Sequence, residues 1–108
     1  MIEIELQYNQ LDVDTYLALR AGVSWKRLSR EQAQLALERS IYVVTAHQNG
    51  RCVGMGRLVG DGAVICYVQD LIVLPQVQGQ GIGSKILSAL KEYVEKLRLP
   101  DTEMMFCL

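Results

Sequence analysis

The chain has 108 residues, of which 50% are hydrophobic and 21% are charged, and its formal net charge is -1. This apolar fraction excludes a disordered chain, and the length allows one domain, which we expect to span residues 1–108. The nearly balanced charge provides neither the basic field of a nucleic-acid-binding protein nor a polybasic membrane signal. We therefore expect a small folded domain with no nucleic-acid or membrane partner.

The cysteine and histidine content limits which kinds of catalytic, metal and disulfide sites the chain can form. Cys52, Cys66 and Cys107 are odd in number and include no C-x-x-C pair, which argues against a disulfide framework or a zinc site and favours a reducing compartment. With His47 as the single histidine, neither a catalytic triad nor a metal site can be assembled, so we expect no metal. The first residues lack the charged and long apolar regions of a signal peptide. These features predict a cytoplasmic protein.

The first part of the chain predicts a strand and two helices. Ile2, Ile4 and Leu6 alternate with polar residues, as in a half-buried strand. Apolar residues at helical spacing follow, with Asp12 or Asp14 as the N-cap and Gly22 suited to the C-terminal cap. A second helix is predicted to begin after Ser29, because Ser29 and Gln32 fit a capping box.

The middle of the chain predicts an antiparallel meander. Three β-forming segments, 41–45, 52–59 and 63–74, are joined by the turn sequences Asn49-Gly50 and Asp61-Gly62. Gly54 and Gly56 in the second segment suggest a bulge or a close backbone approach.

A helix and a last strand complete the predicted order β-α-α-β-β-β-α-β. The helix runs to about Leu97 with one apolar stripe, and residues 104–108 read as a strand. Because the helix connects the segment 63–74 to this last strand, we expect the two strands to be parallel neighbours. The fold class is α+β, with helices flanking a mixed, mainly antiparallel sheet.

A glycine-rich turn lies between the long strand and the last helix. Gly79, Gly81 and Gly83 would let a phosphate approach the backbone, and Ser84 adds a hydroxyl at a helix N-terminus with free N–H groups. No stretch fits a Walker A loop, and the glycine spacing and the preceding hairpins do not fit a Rossmann fingerprint. The turn therefore predicts a phosphate ligand of another class.

The residues of this turn carry a family resemblance. Gln78-Gly79-Gln80-Gly81-Ile82-Gly83 fits the pattern Q/R-x-x-G-x-G/A, and the strand Asp70-Leu-Ile-Val-Leu-Pro75 precedes it. With the amphipathic helix that follows, this arrangement resembles the GNAT superfamily of acyl-CoA N-acyltransferases along nearly the whole chain.

The resemblance implies acetyl-CoA as the acyl donor. It implies that backbone groups of Leu71, Ile72 and Val73 pair with the pantetheine arm, and that the amide near Val73 polarises the thioester carbonyl. The pyrophosphate would rest on the turn and helix start, at Gly79, Gln80, Gly81, Ile82, Gly83 and Ser84. The first position of the motif allows Gln or Arg. Gln78 would form a hydrogen bond to the ligand, whereas Arg would form an ion pair.

The implied reaction is direct transfer of acetyl to a primary amine within a ternary complex. Asp70 is the candidate general base, and the alternative is a hydrogen-bonded structural role. Trp25 lies between the first two helices, where the family often builds its acceptor pocket, and the alternative is a core or lid residue. Nearby Lys26, Arg27 and Arg30 are either a solvated helix start or an anion-binding group.

The chain departs from the family pattern after the last strand. Family members usually continue with a helix, which often carries a tyrosine that protonates the thiolate, and with a final hairpin. We therefore expect a truncated acetyltransferase fragment, a short form completed by dimer contacts through its exposed C-terminal strand, or a non-catalytic acyl-CoA-binding module.

Overall fold

The computed structural model describes residues 3–108, and its elements follow the predicted order. They are β1 (Glu5–Tyr8), α1 (Val13–Gly22), α2 (Arg30–Glu38), β2 (Tyr42–Gln48), β3 (Arg51–Gly60), β4 (Ile65–Val73), a 3-10 turn (Pro75–Val77), α3 (Ile82–Leu97) and β5 (Met105–Cys107). The sequence assigned wider limits to the last two strands. Ile2, which the sequence places in the first strand, lies outside the described residues.

The strands form one sheet in the order β1-β2-β3-β4-β5. The first four strands pair antiparallel, and β5 pairs parallel with β4. The predicted meander and the predicted parallel pair are both confirmed. Because β5 pairs only with Ile65 to Tyr67, the rest of β4 has no strand neighbour on that side within residues 3–108.

The helices cover opposite faces of the sheet. A Cβ placed on Gly56 would lie 2.8 Å from Ile86 Cγ2 of α3, so α3 packs closely against this face of β3. Successive residues of a strand point to opposite faces, and Arg57 accordingly reaches Ala36 and Ser40 at the end of α2. The core contains the inner stripe of α3, formed by Ile82, Ile86, Leu90 and Val94.

Side-chain caps fix where the first two helices begin. Asp12 accepts a hydrogen bond from the Thr15 amide at 2.7 Å, and Ser29 accepts one from the Gln32 amide at 3.1 Å. The structure thereby selects Asp12 over Asp14 as the cap of α1. Gly22 is the final residue of α1, and Val23 takes the C-cap position. Within residues 3–108, none of the helices has the length and apolar character needed to cross a bilayer.

Candidate functional site: the open edge of β4 and the glycine turn

A β-bulge interrupts β4 next to the candidate site. Met55 pairs with Ile72 and Arg57 pairs with Gln69, so Asp70 and Leu71 together oppose Gly56. Asp70 is the extra residue, and its φ is 54°. Asp tolerates this left-handed conformation better than most residues do. The bulge resets which backbone groups of the following residues face β3.

Beyond the bulge, β4 offers backbone groups on its unpaired edge. The Leu74 amide donates to the Val53 carbonyl at 2.9 Å, and alternate residues of an antiparallel strand direct their hydrogen bonds to opposite sides. The amide and carbonyl groups of Leu71 and Val73 therefore face away from β3, whereas those of Ile72 are paired within the sheet opposite Met55. Of the three predicted strand contacts, this leaves Leu71 and the Val73 amide available, because the Val73 carbonyl accepts a hydrogen bond from the Gln78 side chain.

The glycine turn lies directly beyond this edge. Gly79 and Gly81 have φ values of +85° and +77°, and a Cβ at either position would meet nothing within 4 Å. Gly81 is the N-cap of α3, and no side chain caps the helix there. The first amides of α3, from Ile82 to Ser84, therefore face open space with the partial positive charge of a helix N-terminus. This is the geometry of an anion site.

The remaining turn residues connect the loop to the sheet. The Gln78 side-chain amide donates to the Val73 carbonyl at 2.9 Å, and Gln80 accepts a hydrogen bond from Gln48 at 3.3 Å. A Cβ on Gly83 would be in ordinary contact with Val73 Cγ2, at 3.6 Å. The predicted residues 71–73 and 78–84 thus meet at one end of β4.

Asp70 is the centre of a buried polar cluster. Its carboxylate accepts hydrogen bonds from the Tyr16 hydroxyl, from Arg20 Nη1 at 2.8 Å and from Arg57 Nε at 2.8 Å. The Asp70 side chain is only 6% exposed. These contacts join α1 to β3 and β4, and they favour the structural alternative for Asp70.

Sequence reasoning did not identify the partners of Asp70. Arg57 lies within the otherwise apolar stretch 52–60 of β3, and a charged residue at such a position is a signal for a buried counter-charge. Burial, followed by the hydrogen bond and negative charge of Asp70, raises the pKa of Tyr16 above its ordinary value, so Tyr16 holds its proton at neutral pH.

Trp25 borders a cavity of about 560 Å³ between α1 and the start of α2. The Arg20 guanidinium carbon lies 5.4 Å from the centroid of the Trp25 ring. Arg20 thus contacts both Trp25, the acceptor-side candidate from the sequence, and Asp70, the candidate base.

Comparison with known proteins relates the chain to acetyltransferases. Residues 7–105 match the acetyltransferase (GNAT) family. A chloroplastic serotonin N-acetyltransferase from Oryza sativa subsp. japonica is 33% identical over 84 residues, which are 74% of this chain and 42% of that protein. The chain spans about two fifths of the length of the curated relatives that it matches.

Solved structures share the fold. A GNAT-family acetyltransferase from Streptococcus pneumoniae superposes with a TM-score of 0.79 at 32% identity, covering 100% of this chain and 75% of that one. An aminoglycoside N-acetyltransferase in complex with CoA has a TM-score of 0.75 at 12% identity, covering 100% and 78%. The second match, at this identity, concerns the fold alone.

Proposed function

We propose, because this chain belongs to the acetyltransferase (GNAT) family, that it binds acetyl-CoA and transfers the acetyl group to a primary amine. The observation that carries the proposal is the open edge of β4 leading to an uncapped helix N-terminus with free space in front of Gly79 and Gly81. The edge suits the amide-bearing pantetheine arm, and the turn suits the pyrophosphate. A similarly folded acetyltransferase is described in complex with CoA.

The same edge suggests how the chain assists acetyl transfer. The amine nitrogen attacks the thioester carbonyl carbon, the C–N bond forms and the C–S bond breaks. The Val73 amide, on the unpaired edge, donates to the carbonyl oxygen as negative charge develops there. The amine loses its proton to a base or to water, and the CoA thiolate takes up a proton as it leaves.

Asp70 remains the candidate base from the sequence, with a hydrogen-bonded structural role as the alternative. We favour the structural role, since its carboxylate oxygens already accept hydrogen bonds from Tyr16, Arg20 and Arg57. A water molecule at the β4 edge would then take the proton of the amine.

A non-catalytic acyl-CoA-binding module is the second candidate function. The observation that favours it is the full engagement of Asp70, which leaves β4 without a free carboxylate. Release of free CoA thiol in the presence of amines supports the enzyme, whereas acetyl-CoA binding without thiol release supports the module.

The glycine turn provides the test of donor binding. Acetyl-CoA should raise the melting temperature of the protein, and Gly81→Glu should abolish that rise by placing a carboxylate where the pyrophosphate would lie. Gly62→Glu is the matched control, because Gly62 has a similar φ of +73° but lies in the turn before β4, at the other end of that strand. Both variants carry the same backbone strain, so a retained rise in Gly81→Glu would contradict the proposed site.

Other features of the proposal stay predictions from the sequence. They are a single N-acetyltransferase-like domain over residues 1–108, a homodimer through the C-terminal strand, and a cytoplasmic location. Light scattering tests the dimer, because a monomer at micromolar concentration would contradict it.

A further inference from the structure

The cavity between α1 and α2 combines apolar and cationic surfaces. We call it the α1–α2 cavity. It is lined by Leu17, Ala18, Arg20, Ala21, Trp25, Arg27, Leu28, Ser29 and Arg30. A volume of about 560 Å³ is in the range of small-molecule sites.

The positive charge of this lining is only partly neutralised. Arg20 is paired with Asp70, and Arg30 is paired with Asp14, but the Arg30–Asp14 pair is exposed and therefore weak. Arg27 has no ion-pair partner within residues 3–108, and Lys26 lies next to it. Among the described residues, no acidic side chain lines the cavity. An anionic group is the complement of this surface.

Trp25 gives the cavity a fixed aromatic wall. Arg20 lies over its ring at 5.4 Å, within the range of a cation–π contact. Arg20 is itself held by Asp70 and by the Lys26 carbonyl, which accepts from Arg20 Nη2 at 2.9 Å. A flat apolar ligand therefore meets a wall that is already in place.

Arg20 also links the cavity to the β4 edge. It lines the cavity and also binds Asp70, which immediately precedes Leu71, whose backbone faces the unpaired edge. A molecule in the cavity thus lies on the α1 side of the bulge, while the proposed donor lies along the edge.

We infer that the α1–α2 cavity binds the acetyl acceptor, and that this acceptor is a primary amine bearing a carboxylate and an aromatic or other apolar group. The inference rests on the proposed function. Arg27 would bind the carboxylate, for which a guanidinium is geometrically suited, and Trp25 would contact the apolar group.

Trp25 permits a binding test that is independent of activity, because it is the only tryptophan in the chain. Its fluorescence should change saturably with 3-phenylpropionate and much less with 3-phenylpropan-1-ol, which has the same apolar part without the charge. Arg27→Gln should weaken 3-phenylpropionate binding about tenfold, the value of one charge-assisted hydrogen bond. Lys91→Gln, an exposed lysine on α3, is the control and should leave binding unchanged.

A second test compares two acceptors that differ by the carboxylate. L-Phenylalanine should be acetylated with a lower KM than 2-phenylethylamine, and Arg27→Gln should remove that preference while changing kcat little. Equal binding of the acid and the alcohol, or equal KM values for the two amines, would overturn the inference and leave the proposed function standing. Failure of the proposed function would appear differently, as no rise in melting temperature with acetyl-CoA.

Discussion

The sequence is compatible with two different roles for Asp70, a general base and a structural residue. Asp70 is the only carboxylate on the long strand β4, which suits a general base, but its oxygens accept from Tyr16, Arg20 and Arg57. Since Arg20 and Arg57 are each 14% exposed, their charges depend on this carboxylate for compensation.

Replacing Asp70 by Asn should destabilise the protein strongly. The change leaves two buried guanidinium groups without a counter-charge and should lower the free energy of unfolding by about 3 kcal/mol, measured by urea denaturation. Asp14→Asn, which breaks an exposed pair, is the control and should have little effect. Arg57→Met should partly restore stability to the Asp70→Asn variant.

The opposite result would identify Asp70 as the base. In that case Asp70→Asn would keep the stability of the natural protein, lower kcat, and remove the acidic limb from the pH profile of kcat.

Tyr16 should make the stability sensitive to alkaline pH. Its pKa is raised above the ordinary value of 10.0, by burial first and then by Asp70, so folding favours the protonated phenol. This contribution is fully present below pH 10 and is lost as the pH rises through the folded-state pKa. Tyr16→Phe should cost about 1 kcal/mol at neutral pH, and the difference from the natural protein should shrink above pH 10. A difference that is constant with pH would contradict the assignment.

At the scale of the elements, glycines in β3 allow α3 to pack closely against the sheet. A Cβ on Gly54 would lie 2.9 Å from the Ile72 carbonyl oxygen and 3.1 Å from Ile86, so Gly54 and Gly56 set the depth at which α3 packs. The sequence predicted a bulge or a close approach at these glycines. The structure shows a bulge in β3 next to Gly54, since Ala46 pairs with Gly54 and His47 with Cys52, and it shows the close approach of α3 at Gly56.

Gly56→Ala should therefore destabilise the packing of α3. Its Cβ would lie 2.8 Å from Ile86 Cγ2 and 3.0 Å from Leu90 Cδ1, and such overpacking costs about 1–3 kcal/mol. Gly83→Ala is the matched comparison, because its Cβ would meet Val73 at an ordinary 3.6 Å and Ala favours the helix by about 1 kcal/mol. The melting temperature should fall for Gly56→Ala and rise for Gly83→Ala. An equal fall in melting temperature for both variants would contradict this explanation.

For the whole molecule, β4 separates the two proposed ligands. The donor would lie along the unpaired edge and at the start of α3, whereas the acceptor would lie on the face covered by α1 and α2. Asp70 connects these parts, since it belongs to the bulge and is bonded to α1.

Donor binding should stabilise the molecule as a unit. The linkage relation predicts about 2.7 kcal/mol of added stability at a free acetyl-CoA concentration 100-fold above Kd, measured as a shift of one unfolding transition. The stabilisation should increase with the logarithm of the acetyl-CoA concentration. A shift that stops rising at high concentration would indicate that the ligand also binds the unfolded chain.

The order of elements, the meander, the parallel last pair and the glycine turn could all be predicted from the sequence. These features depend on local rules: alternation of apolar residues, turn-forming dipeptides, capping residues and the conformational freedom of glycine. The turn residues 78–84 could be assigned for the same reason, since a helix N-terminus and its preceding glycines are contiguous in the chain.

The contacts of Asp70, and the strand residues that offer free backbone groups, could be identified only from the folded structure. The bulge shifts the register of β4 by one residue, which leaves Leu71 and Val73 on the open edge and Ile72 within the sheet. Tyr16 and Arg20 of α1 are far in the chain from Arg57 and Asp70, and no local pattern predicts that the two pairs meet. Their contact results from packing α1 across the bulge, because a carboxylate buried there requires counter-charges brought from other elements.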